Sequence, residues 1–325
     1  MRILAVFALG AALLAQTPPK GQPEDDASAI KVDVDVVSIL ASVRDKRGGL
    51  VGNLEKLDFT VLEDGKEQQI KYFTRETDLP LTIGLLIDVS RSQENLIDIE
   101  RRAASAFFSQ VLQKKDEAFL ISFGEDSELL QDYTTSARLL TEAMNGLKVS
   151  SGVGGFGPGP VPTVGQPRGT VLYDAIYVAA REKLKGEVGR KVVVVITDGV
   201  DEGSKVGLAE AVEAAQKADT VIYSIDYSDA GVYGGLFGIT GGGYGALKKM
   251  SDETGGHVYQ VDRKHTLDEV FKELQEEMRT QYSIGYTPTN DAKDGGYRKL
   301  DVRTIDKTQK VQARKGYYAM KPDSR

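Results

Sequence analysis

The chain has 325 residues, 41% of them hydrophobic and 27% charged, which is enough apolar material for one large domain and a smaller one. The absence of cysteine excludes disulfides and thiolate metal sites. A net charge of −7, with no long Lys/Arg run to offset it, argues against nucleic acid as a partner.

Met1-Arg2 precedes an apolar stretch from Ile3 to Ala15, too short for a good spanning helix and of the length of a secretory signal peptide. The alternative, a buried N-terminal helix, is opposed by the Gln16-Thr17-Pro18-Pro19 break. The reading is therefore a signal peptide over residues 1–15 and a Pro-rich, polar, disordered leader over 16–29. No later apolar segment approaches ~20 residues, so no integral membrane segment is expected in the mature chain. The expected location is secreted, periplasmic or cell-surface associated.

Ile30, Val32, Val34 and Val36 alternate with polar residues, and after a phase slip Ile39, Ala41 and Val43 continue the pattern of a half-buried strand. Phe59 to Glu63 leads into Asp64-Gly65, a hairpin signal, with Gln68 to Phe73 expected to return. Residues 30–78 thus form a small β module whose core is marginal alone.

Leu81 to Ile87 (LTIGLLI) is a continuous apolar run, the signature of a strand covered on both faces. It ends in Asp88-Val89-Ser90-Arg91-Ser92. In an open parallel sheet this places a carboxylate and two hydroxyls in the crevice beyond the carboxyl ends of the strands. Arg190 to Thr197 is a second such strand and runs into Asp198-Gly199, while Thr170 opens a helical pattern directly after Gly169. Hard oxygens of this kind suit Mg²⁺ far better than zinc. Helix capping and turn formation remain the other use of Asp and Ser after a strand.

With these three loops the chain resembles the von Willebrand factor A-type domain, whose metal-ion-dependent adhesion site uses Asp-x-Ser-x-Ser, a distant Thr and a later Asp-Gly. The resemblance implies a metal set of Asp88, Ser90, Ser92, Thr170 and Asp198, with the hydroxyls touching the ion and the two Asp acting mostly through water. Many members have Gly at the position of Arg91 and Met at that of Gln93. The implied cofactor is Mg²⁺, with Mn²⁺ or Ca²⁺ as alternatives. Three neutral hydroxyls cancel little of its charge, so a carboxylate from another molecule would complete the shell. The expected partner is a protein ligand with an exposed carboxylate.

Within residues 79–279 strands and helices alternate, which predicts an α/β fold with a doubly wound, mainly parallel sheet. Helices are predicted at Leu96 to Val111, Ser136 to Leu147, Thr170 to Leu184, Val206 to Lys217, Tyr244 to Glu253 and Thr266 to Arg279. Further strands are predicted at Glu117 to Phe123, Thr220 to Asp226 and Gly256 to Val261. Gly-rich stretches interrupt this order at 150–169 and 231–245. Gly152-x-Gly154-x-x-Gly157 matches a dinucleotide fingerprint only formally, because no strand-to-helix turn surrounds it.

Gln281 to Thr287, Tyr297 to Ile305 and Lys310 to Ala319 alternate again. They predict the second part of the β module, over 280–320, so that both chain ends build one β-sandwich-like unit into which the α/β domain is inserted. Phe59-x-Val61-x-Glu63-Asp64-Gly65 and Arg314-Lys315-Gly316-Tyr317 also resemble secreted bacterial proteins with a VWFA-related domain. The functional expectation is a metal-dependent protein-binding or cell-adhesion module without enzymatic activity. A structural scaffold that does not bind metal, or a hydrolase, are the alternatives. Against hydrolysis stand the lack of Gly-x-Ser-x-Gly and of a Walker loop, and a supply of only two histidines, His257 and His265.

Overall fold

The computed structural model describes residues 36–75, 79–148, 169–227 and 243–321. The expected signal peptide, the leader and the Gly152–Gly157 match lie outside these residues, as do 30–35 of the first strand and most of the second Gly-rich stretch.

The middle of the chain folds around a six-stranded sheet. Its strands are β5 (Leu81–Asp88), β6 (Glu117–Phe123), β7 (Ser127–Thr134), β8 (Arg190–Thr197), β9 (Thr220–Asp226) and β10 (Val258–Gln260), in the order β10-β9-β8-β5-β6-β7. All neighbours are parallel except β7, which returns antiparallel along the edge. Every residue of β5 and β8 is buried, the polar Thr82, Arg190, Lys191 and Thr197 included, as expected of central strands covered on both faces.

Helices lie on both faces. On one, α1 (Ile97–Val111), α2 (Ala137–Met144) and a C-terminal helix, Leu267–Arg279, pack on Leu81, Ile83, Leu85 and Ile87. On the other, α3 (Leu172–Val178), α4 (Leu208–Lys217) and α5 (Tyr244–Thr254) cover Leu86, Val193 and Val195. The C-terminal helix is α6. Its start is fixed by a capping box in which Thr266 accepts from the Glu269 amide and Glu269 accepts from the Thr266 amide.

The chain termini add two antiparallel four-stranded sheets. The first runs β13 (Lys310–Ala313), β1 (Val37–Arg44), β11 (Tyr282–Tyr286), β4 (Ile70–Arg75). The second runs β14 (Gly316–Tyr318), β12 (Tyr297–Thr304), β2 (Phe59–Glu63), β3 (Lys66–Gln68). They share one core, including Ile39, Phe59, Val61, Tyr282, Ile284, Tyr286 and Leu300. Inside it the buried Glu63 carboxylate accepts from the hydroxyls of Tyr286 (2.6 Å) and Tyr317 (2.9 Å).

Two sequence expectations are corrected here. The hairpin return stops at Gln68, which pairs with Val61 across the Asp64-Gly65 turn, both turn residues having positive φ (49° and 81°). Ile70–Arg75 instead crosses to the other sheet and pairs with β11. The single strand expected over 310–319 is two, β13 and β14, in different sheets. In addition, β7 was not expected.

Candidate metal-ion site at the carboxyl edge of the sheet

Asp88 ends β5 between Phe123 of β6 and the end of β8, at the carboxyl edge of the sheet. It is fully buried, and both its oxygens are committed: one accepts from the Ser90 amide (2.8 Å), the other from the Thr197 hydroxyl (2.6 Å). Thr197 also accepts from the Gly199 amide (3.1 Å) and so ties the Asp88 carboxylate to the Asp198-Gly199 turn. Burial raises the Asp88 carboxyl from 3.8 to about 6; the hydrogen bonds from Ser90 and Thr197 oppose this, and the charge of Asp198 adds to it.

Ser90 and Ser92 flank Arg91 in a short 3-10 turn, and their hydroxyl oxygens are 3.0 Å apart. Octahedral Mg²⁺, with bonds of about 2.0–2.1 Å, needs neighbouring oxygens about 2.9 Å apart, so this pair has the spacing of two adjacent ligands. Arg91 does not pair with Asp201 or Glu202. The Asp201 carboxylate instead accepts from the Tyr173 amide (3.1 Å) and the Ser204 hydroxyl (2.6 Å).

Thr170 does not open a helix as expected: α3 begins at Leu172, and Thr170 stands two residues before it. Its position is set through the main chain. The Val171 amide donates to the Gly124 carbonyl just beyond β6, and the Glu202 amide donates to the Thr170 carbonyl. Gly169 lies so close to Glu202 that a Cβ there would fall 2.1 Å from the Glu202 Cβ. The second and third loops are therefore held together at the edge where Asp88 lies.

Asp198 is half-buried and caps its own turn by accepting from the Val200 amide (3.1 Å). Gly199 takes φ +78°, and the backbone of Gly243 rests on it, with a Cβ on Gly243 falling 2.3 Å from the Asp198 carbonyl oxygen. Neither position admits a side chain without displacing the turn. Among the described residues, Thr170 and Asp198 make no hydrogen bond to Asp88, Ser90 or Ser92.

Four neighbours were missed by the sequence reading. Thr197 buttresses Asp88, and its signal was available as a hydroxyl placed immediately before Asp198. Asp226, at the end of β9, is raised by its burial and by the charge of Asp198, although Gln260 donates to it. The side chains of Gln93 and Glu100 are fully buried and, among the described residues, have no hydrogen-bond partner. Burial, and secondarily the charge of Asp88, pushes the Glu100 carboxyl well up.

Among the described residues no cluster of three or more His, Cys, Asp or Glu side chains is arranged to hold a metal. The donor set on this edge is of a different kind, two carboxylates with hydroxyls, and the Ser90–Ser92 spacing fits a small hard cation.

Residues 83–200 match the family model of the von Willebrand factor type A domain. No curated protein matches the chain. Among solved structures, an aerotolerance-related membrane protein from Bacteroides fragilis is 18% identical, over 61% of this chain and 98% of that one, with a TM-score of 0.44. Conserved hypothetical protein BatB from Bacteroides thetaiotaomicron is also 18% identical, over 61% and 97%, with a TM-score of 0.43. Proximal thread matrix protein 1 from the mussel byssus, with a zinc-occupied MIDAS motif, is 14% identical over 66% of this chain and 49% of that one, with a TM-score of 0.48.

Proposed function

From a chain that carries a von Willebrand factor type A domain over residues 83–200, we propose a secreted, non-catalytic binding protein that engages an acidic protein ligand through a divalent cation. Ser90, Ser92 and Thr170 would hold the ion, with Asp88 and Asp198 supporting it, and Mg²⁺ is the preferred cofactor. When bound, the ion supplies an electrophilic position that a carboxylate can occupy. The observation that carries this reading is the Ser90–Ser92 oxygen pair, 3.0 Å apart beside a buried carboxylate that is itself held by Thr197.

The chain's own residues do the rest. Asp88 orders the Ser90 amide and thereby the turn that presents both hydroxyls. Thr197 keeps the Asp88 carboxylate from rotating away. In support of a non-catalytic reading, His265 contacts the Gln260 carbonyl and Glu273, and His257 stands edge-on against the Tyr259 ring.

A peptide array of short sequences, each with a single Asp or Glu, tests the reading. Binding is expected in millimolar Mg²⁺, lost in EDTA, and lost when the ligand carboxylate is changed to its amide. Thr170→Ala is expected to remove binding while the circular dichroism spectrum is unchanged. Binding that survives both EDTA and Thr170→Ala would leave only an interaction scaffold.

A further inference from the structure

At the opposite, amino-terminal edge of the six-stranded sheet lies a cavity of about 300 Å³, between the starts of β8 and β9 and the first terminal sheet. Its charged lining is Arg190, Lys191 and Arg314 against Glu187 and Asp219. Arg314 and Asp219 form an ion pair, and Arg190 donates to the carbonyls of Met278 and Leu79.

Lys191 differs from these. It sits between Thr82 and Thr220 in strands that are buried nearly throughout, is itself only 6% exposed, and makes no ion pair among the described residues. Burial lowers its ammonium below the ordinary lysine range; Asp219 and Glu187 oppose this, and the neighbouring Arg314 charge adds to it. A buried ammonium is retained at a cost unless an anion compensates it. Arg314 is already committed through its terminal nitrogens to Asp219 and the Ser38 carbonyl, and its Nε is closed off from solvent.

We propose that this cavity binds a small monocarboxylate, which accepts hydrogen bonds from the Lys191 ammonium and the Ser283 hydroxyl. The charge count selects the class. Among the described residues three cationic and two anionic side chains line the cavity, so one negative charge neutralises that lining, whereas a dianion over-compensates. The Thr220 hydroxyl already donates to the Ala218 carbonyl, which leaves Ser283 as the lining hydroxyl that can donate to the ligand. The volume is at the lower end for ligand sites, which suits a molecule of a few heavy atoms. This site is independent of the metal edge, because it is built from the other ends of the strands.

The test is a titration of the full chain with ¹³C-propionate at pH 7, read by NMR line width and melting temperature. EDTA is present throughout, so that no metal-bridged carboxylate contributes. Saturable binding with a dissociation constant on the order of 1 mM is expected. Lys191→Met should weaken it at least tenfold, and Lys191→Arg should keep it within threefold. Chloride at equal ionic strength should not substitute, and inorganic phosphate should bind more weakly than propionate. Non-saturating wild-type titration, unchanged affinity in Lys191→Met, or phosphate binding as tightly as propionate would each overturn the assignment.

Discussion

Glu100 and Gln93 show how a residue-scale pattern can conceal the feature that matters. Gln93 ends the 3-10 turn before α1 and Glu100 lies in the first turn of α1, and the helical spacing of Leu96, Ile99, Ala103, Phe107 and Val111 was legible in the sequence. That the packing would also bury a carboxyl and an amide side chain without partners among the described residues was not, because spacing reports which face is covered and not what the cover offers. An orphaned buried polar group costs roughly 1–3 kcal/mol. Glu100→Met should therefore raise stability by about that amount in urea denaturation, with no loss of Mg²⁺ response. Asp88 titrates for the same reason. Its folded-state value, about 6, lies above the ordinary 3.8, so the native state holds its proton more tightly than the unfolded chain does. Metal-free protein should lose stability as pH rises from about 4 to about 6, by on the order of 3 kcal/mol. Asp88→Asn should flatten that part of the pH profile; an equal slope in the variant would place the titration elsewhere.

At the scale of elements, the strands with unbroken apolar runs were the easiest to read, since burial on both faces leaves no polar alternation to misplace. β7 was missed because its sequence, SELLQDYT, has adjacent rather than alternating leucines and forms an exposed edge. Ile70–Arg75 was assigned to the wrong sheet because alternation gives a strand's faces but not its neighbours. The contacts that join the terminal sheets to the α/β core are also nonlocal. Glu277 on α6 is fully buried and accepts from Ser42 (2.9 Å), Tyr259 (3.0 Å) and Tyr223 (3.3 Å), and pairs with Arg44 of β1. Burial, and then the charge of Glu277, pushes both tyrosine hydroxyls well above their ordinary range. Arg44→Ala strands this carboxylate and should cost roughly 2–4 kcal/mol, somewhat below the loss for a fully buried pair because Arg44 keeps contact with solvent. Denaturation of the variant by urea measures it, and a loss under 1 kcal/mol would show that the hydroxyls alone satisfy Glu277.

For the molecule as a whole, the pairing of β1 with β11 and β13, and of β2 with β12, means that each terminal sheet needs strands from both ends of the chain. We propose that residues 79–279 are an insertion able to fold alone, whereas 28–78 are unstructured alone. The isolated 79–279 fragment should melt cooperatively but below the full chain, because Glu277 then lacks Arg44 and Ser42. A cooperatively melting 28–78 fragment would contradict this division. The candidate metal site was legible as three separate loops, but the element that joins them, the Thr197 hydroxyl between Asp88 and the Gly199 amide, emerges only when β5 and β8 lie side by side. The central claim is that these loops together bind a divalent cation. Calorimetric melting of the full chain with increasing Mg²⁺ tests it most directly. At a hundredfold excess over the dissociation constant, linkage stabilises the fold by about 2.7 kcal/mol, a rise of several degrees. That rise is expected in the wild type and is expected to be absent in Asp88→Ala. A melting temperature that does not respond to Mg²⁺, or that rises equally in both proteins, would contradict it.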